Sequence, residues 1–258
     1  GARYDGVFAM WYGKGPGVDR AGDVFKHANA AGVSPKGGVL LLAGDDHGCK
    51  SSTLPHQSEH AFIAASIPVL NPANVQEILD YGIIGWELSR YSGCWVALKT
   101  IAENVDSSAV VEVDPLRVQT RIPEDFELPE DGVHIRWPDP PLAQEKRLNV
   151  YKIYAARAFA LANNLNQVKL DSPNPRLGII TTGKSYLDVR QALDDLGLDE
   201  ALCAKVGLRV LKVGMSWPLE PVSVHEFAQG LDEILVVEEK RSIIEDQLTG
   251  QLYNWPVS

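Results

Sequence analysis

The residues best equipped for chemistry stand together in one stretch, Gly44-Asp45-Asp46-His47-Gly48-Cys49-Lys50-Ser51-Ser52-Thr53. Two carboxylates, an imidazole, an ammonium and three hydroxyls so close in sequence can hold polar ligand groups and pass protons between them. The same composition also suits a polar turn whose Asp side chains accept backbone N–H groups. A second stretch, Tyr12 to Asp23, is rich in glycine and carries Lys14. Its ammonium could neutralise a substrate carboxylate, or simply face water.

Two pattern matches need weighing. Gly178 to Ser185 reads G-x-x-x-x-G-K-S, the form of a phosphate loop. Such a loop needs pliable backbone between its glycines. Here Ile179, Ile180, Thr181 and Thr182 fill those positions, and β-branched residues favour strand. A strand-to-helix turn at Gly183 is the expected structure, with a nucleotide hydrolase as the alternative. His56-Gln-Ser-Glu59-His60 has the spacing of a zinc peptidase helix. Pro55 puts His56 at the weakest part of such a helix, and no downstream acidic helix offers a further ligand. Solvated or hydrogen-bonded histidines are expected, and no metal site is assigned.

The elements that must position these residues alternate between strand and helix. Val7–Trp11 reads as a strand, Gly13–Gly17 as a loop, and Val18–Ala31 as a helix. Gly38–Ala43 is an all-apolar run of strand length, the kind buried on both faces of a parallel sheet. A helix is expected from about Gln57 to Ala65, a strand at Pro68–Leu70, and a helix to about Tyr91 opened by Asn74 and Glu77 as a capping signature. Trp95–Thr100 is a further strand. Residues 114–141 hold six of the 16 prolines, so they read as an extended linker. A helix follows near Gln144–Leu161. Strands at Leu177–Thr181, Leu208–Val213 and Ile234–Val237 then alternate with helices. Ser185 with Asp188, Ser223 with Glu226, and Ser242 with Glu245 are the expected caps. The fold class is α/β, two units joined by a proline-rich linker, with ligands beyond the carboxyl ends of the strands.

Composition narrows the function. The 258 residues are 45% hydrophobic and 22% charged, ordinary for a globular chain of one or two domains. A net charge of −10 disfavours nucleic acid and anionic membranes. No apolar run is long enough to span a bilayer. Cys49, Cys94 and Cys203 are scattered and odd in number, which fits a reducing cytoplasm and no disulfide scaffold. The first residue is Gly and an apolar run starts at Val7, which reads as a cut inside a domain.

The strings WYGKGPGVDRAGDVFKHANAAG and GGVLLLAGDDHGCKSSTLPHQSEHAF resemble the indolepyruvate ferredoxin oxidoreductases, most nearly their long bacterial version with fused subunits. More broadly they resemble the thiamine-diphosphate-dependent 2-oxoacid:ferredoxin oxidoreductases. PRLGIITTGKSYLDVRQAL through ILVVEEKRSIIEDQL resembles the transketolase C-terminal-like domain of the same family. The resemblance implies residues 1–113 as the later part of a pyrimidine-binding domain, 114–170 as linker and connecting helix, and 171–258 as the transketolase-C-like domain. It implies oxidative decarboxylation of an arylpyruvate to an acyl-CoA, with electrons passed to ferredoxin. Thiamine diphosphate and Mg²⁺ would be shared with domains absent here, and iron–sulfur clusters would lie elsewhere in the parent. Asp45, Asp46, Ser51 and Ser52 would face the cofactor, Lys14 and Lys50 the substrate, and Asp46 and His47 would do the polar positioning. The fragment alone would be inactive, and its partners would be the remaining domains, ferredoxin and a second copy of the parent. A purely structural docking module is the alternative, with Glu238, Glu239, Lys240 and Arg241 as an inter-domain contact or a solvated run.

Overall fold

The structure is a computed structural model and describes residues 6–253. The first unit runs β1 (Phe8–Lys14), α1 (Gly15–Arg20), α2 (Gly22–Ala31), β2 (Gly38–Asp45), α3 (Glu59–Ala64), β3 (Val69–Leu70), α4 (Val75–Ser92), β4 (Val96–Ile101) and α5 (Ala102–Val105). Residues 114–140 carry no helix or strand. They lie over the first unit through Arg117 on Asp80 and through Ile135 N–H donating to Val33 O at 3.0 Å. Next come α6 (Pro141–Arg147), a π-helical turn (Leu148–Lys152) and α7 (Ile153–Ala162). The second unit runs β5 (Asn166–Leu170), β6 (Leu177–Thr182), α8 (Gly183–Asp195), α9 (Glu200–Val206), β7 (Leu208–Val213), β8 (Met215–Trp217), α10 (Pro221–Ala228), β9 (Glu233–Val237) and α11 (Ile244–Leu252).

These strands form a five-stranded sheet in the order β1-β2-β4-β3-β8 and a four-stranded sheet in the order β5-β7-β6-β9. Within the first, β1, β2, β4 and β3 are parallel. β6, β7 and β9 are parallel in the second, and β5 joins antiparallel. The all-apolar reading of β2 and β4 agrees with their central place: Leu40, Leu41, Val96, Ala97 and Leu98 are buried between α4 and α7 on one face and α2 and α3 on the other. β8 was not foreseen. Its three residues leave the second unit and pair antiparallel with β3, so one chain segment stitches the two halves.

Several local expectations are corrected. Gly13–Gly17 is not a loop: Gly13 and Lys14 finish β1 opposite Ala43 and Gly44, and Gly15–Gly17 open α1 with a proline in the first turn. Gly15 is required there by space, since a Cβ would meet the His56 ring at 2.0 Å. The single helix expected over Val18–Ala31 is two, parted at Ala21. Asn74 does cap α4, accepting from Glu77 N–H at 3.0 Å, and the Glu77 carboxylate reaches back to Ala73 N–H at 2.8 Å. The other three caps differ. α8 begins at Gly183, so Ser185 lies inside it. Glu220 caps α10, accepting from Val222 and Ser223 N–H at 2.6 and 2.8 Å. Glu238 caps α11, accepting from Ile243 and Ile244 N–H at 2.9 and 3.0 Å. A carboxylate arriving from outside the helix satisfies two or more orphan donors where a hydroxyl satisfies one.

Candidate functional site

The acidic pair sits where β2 runs out. Asp45 is the last strand residue and is buried. Its carboxylate accepts from Ser58 N–H at 2.8 Å and Ser58 Oγ at 2.5 Å, and lies 3.3 Å from His56 Nδ1. His56 Nε2 lies 3.1 Å from Asp19 Oδ2 on α1, so this imidazole bridges two carboxylates from neighbouring turns. Asp46 folds the loop on itself. It accepts from the N–H groups of Lys50, Ser51 and Ser52 at 2.8, 2.8 and 2.9 Å. The Ser51 and Lys50 N–H donors hold its carboxyl down at about 2, against the opposing effect of burial. The turn forces Cys49 to φ +57°, with Sγ donating to Ser52 O at 2.6 Å.

His47 turns away from the loop toward the second unit. Its Nδ1 stands 2.5 Å from Glu239 Oε2, and Nε2 stands 4.0 Å from Asp45 Oδ2. Lys50 Nζ pairs with Glu103 on α5 at 3.2 Å. Burial would raise the Glu103 carboxyl; its own backbone N–H and Lys50 outweigh that and lower it. The structure thus brings Asp45, Asp46, His47 and Lys50 together. Lys14 is exposed at the end of β1, level with Gly44 on the same carboxyl edge. Ser51 is exposed and Ser52 half-buried, and their backbone N–H groups are committed to Asp46.

Residues that the sequence reading did not place in this site include Asp19, Ser58, Glu103 and Gln57. The Gln57 amide exchanges two hydrogen bonds with the backbone of Arg241, at 3.0 and 3.1 Å. Nothing in the local sequence marks these contacts, because each partner comes from another element. The run Glu238–Arg241 therefore divides its work: Glu238 caps α11, while Glu239 and Arg241 hold the seam between the two sheets.

The two pattern matches resolve on geometry. Gly178 lies inside β6, opposite Arg209 and Ile234. It is glycine for packing, since a Cβ would fall 2.5 Å from Leu231 and 2.9 Å from Phe227. No phosphate cradle exists along Gly178–Thr182. His56 precedes α3 and is engaged by Asp45 and Asp19, while Glu59 pairs with Lys99 and the half-buried His60 lies near Arg241. No trio of His, Cys, Asp or Glu is arranged to hold a metal ion among the described residues. No helix among them is long and apolar enough to cross a membrane.

Residues 165–258 match the family model described as the indolepyruvate ferredoxin oxidoreductase middle domain. The chain is 32% identical over 248 residues to indolepyruvate oxidoreductase subunit IorA of Methanothermobacter marburgensis, covering 96% of this chain and 38% of that one. It is 28% identical over 252 residues to the IorA subunit of Pyrococcus abyssi, covering 96% and 37%. The chain thus spans well under half the length of these curated relatives. In fold it is similar to a 2-oxoglutarate:ferredoxin oxidoreductase from Magnetococcus marinus solved with 2-oxoglutarate, coenzyme A and succinyl-CoA (TM-score 0.60, 15% identity, 97% of this chain and 48% of that one). It is also similar to a split-gene transketolase solved as an inactive β4 tetramer (TM-score 0.50, 13% identity, 96% and 63%).

Proposed function

We propose that this chain belongs to the indolepyruvate ferredoxin oxidoreductase family and forms part of the cofactor-facing body of a 2-oxoacid:ferredoxin oxidoreductase, a reading supported by the family model over residues 165–258 and by the IorA relatives. The substrate class is an arylpyruvate, oxidatively decarboxylated to an acyl-CoA with electrons passed to ferredoxin. The division at 113 and 170 into a pyrimidine-type unit, a connector and a transketolase-C-like unit belongs to the same proposal, with β5 at the end of the connector joining the second sheet beside β7. The observation that carries it is the polar turn after β2: a central parallel strand ends in the buried Asp45, and the loop beyond presents a rim from Gly48 to Leu54 at the carboxyl edge.

Thiamine diphosphate, when bound, would supply carbanion stabilisation. The fit of this chain to that group is that of one wall. Asp45 and Asp46 have spent their oxygens on Ser58 and on the loop backbone, so they shape the rim. The exposed Ser51 hydroxyl and the exposed Lys50 ammonium, which pairs with Glu103, stand at the rim, the Ser52 side chain is given to Asp46, and Lys14 stands on the neighbouring strand end. His47 lies against Glu239 of the second unit, where the two units meet beside the rim. Mg²⁺, the diphosphate and the electron-transfer clusters would be held by other domains or subunits.

The test uses the isolated chain with thiamine diphosphate, Mg²⁺, indolepyruvate, coenzyme A and a viologen acceptor. No acceptor reduction and no stoichiometric cofactor binding are expected by calorimetry. Tight binding to this chain alone would overturn the reading. In the assembled oxidoreductase, Lys50→Ala is expected to raise KM for the 2-oxoacid more than it lowers kcat.

A further inference from the structure

Away from the loop, a helix end is buried with its donors unspent. α8 starts directly at the carboxyl end of β6 and is 13 residues long. The N–H groups of a first helical turn have no acceptor within the helix. Thr182, at the cap position, gives its hydroxyl to Val213 O at 2.7 Å and does not cap. Thr182, Gly183 and Ser185 are all buried. A buried helix end without a partner is uncommon and calls for one.

Asn71 supplies an independent indication. It directly follows β3 of the other sheet, is 8% exposed, and its side-chain amide makes no hydrogen bond among the described residues. That amide rests on the first residue of α8: a Cβ on Gly183 would lie 2.5 Å from Asn71 Oδ1 and 2.9 Å from Nδ2. Gly183 itself is at φ +52°, so only glycine leaves the approach open without strain. Lys184, partly exposed, adds an ammonium at the rim and pairs with Asp188 at 2.8 Å. The other carboxylates near Lys184 face their own partners, Glu103 on Lys50 and Glu239 on His47.

We propose that the first turn of α8, roofed by the Asn71 amide, is a binding site for one oxyanion, a phosphate or carboxylate group of a small-molecule ligand. The N–H groups of Lys184 and Ser185 would donate to it, assisted by the helix dipole, and Asn71 Nδ2 would add a further donor. The site takes a single oxyanion and no nucleotide triphosphate, because Gly178–Thr182 is strand and cannot curl round further phosphates. It does not depend on the enzymatic role proposed above.

The test follows the backbone amide resonances of Lys184 and Ser185 in the 258-residue chain. Pyrophosphate, inorganic phosphate and acetate are titrated separately at constant ionic strength, with chloride as control. Saturable shifts of these two amides are expected. Asn71→Ala, checked as folded by its amide spectrum, is expected to weaken binding about tenfold, the worth of one hydrogen bond to a charged group. Saturation by the phosphates alone assigns a phosphoryl ligand, and by acetate alone a carboxylate. No saturable shift with any probe, or wild-type affinity in both Asn71→Ala and the milder Asn71→Ser, would overturn the proposal.

Discussion

The turn after β2 and the turn after β6 occupy equivalent places, each leaving the carboxyl end of a buried parallel strand. The first spends the whole stretch 46–58 before α3, rich in polar side chains. The second spends almost none, passing from Thr182 straight into α8. Polar content and free chemistry run in opposite directions between them. In the long turn Asp45 and Asp46 are consumed by Ser58 and by the loop backbone. In the short turn the helix donors and the Asn71 amide are left over. A long connection needs acceptors for its own N–H groups, and that need alone recruits carboxylates. Counting polar residues therefore measures what a loop requires for itself before it measures what it offers a ligand.

The contrast can be broken most directly beneath the long turn. Glu59, which opens α3, forms a fully buried ion pair with Lys99 on β4. Glu59→Ala leaves that ammonium unpaired and is expected to cost about 3–5 kcal/mol in urea unfolding. Replacing both partners with Met should recover much of the loss, because burying either charge is itself costly. Next comes Asp45→Ala, which strands the Ser58 N–H. A loss of about 2 kcal/mol is expected by the same measurement, and a loss under half of that would show that the turn is less saturated than its geometry states.

In the short turn the effects shrink. Gly183→Ala is expected to cost about 1–2 kcal/mol for the left-handed backbone, plus a clash with Asn71 that a double-mutant cycle with Asn71→Ala would reveal as coupling. Asn71→Ala alone removes a group with no partner, so its stability change should stay below about 1 kcal/mol. A larger loss would place Asn71 in the packing of the seam and weaken the contrast. The finest probe is acid. Asp46 holds its carboxyl near 2 when folded, below the ordinary 3.8, so its contribution is complete above about pH 4 and is lost as pH falls toward 2. Asp46→Asn should flatten the stability profile over that interval, and an unchanged acid limb would remove Asp46 from the account.

Much of the framework is legible in the chain. β7 falls on Leu208–Val213 and α4 starts at the Asn74 cap, because continuous apolar runs and capping residues are local signals. The acidic loop also stands where an apolar strand should end. β8 was invisible: three residues between Gly214 and Pro218 carry no period, and only the open edge of β3 makes them a strand. The run Gly13–Gly17 misled because glycine density signals a loop, whereas Gly15 answers to the His56 ring lying over it. The cap residues of α8, α10 and α11 misled for the same reason. Local rules find the nearest hydroxyl, whereas Glu220 caps α10 from the N-cap position, Glu238 reaches α11 from upstream, and α8 has no side-chain cap.

The sequence by itself determined the alternation of strands and helices, the buried parallel strands and the place of the polar turn, since apolar periodicity is written residue by residue. Tertiary structure alone decided which polar groups are spent. Asp45 needs Ser58 and His56, His47 needs Glu239, and Asn71 rests on Gly183 without a partner. Hydrogen bonds act through a few ångströms of space, and only the packing of the two sheets sets which distant residues come within that reach.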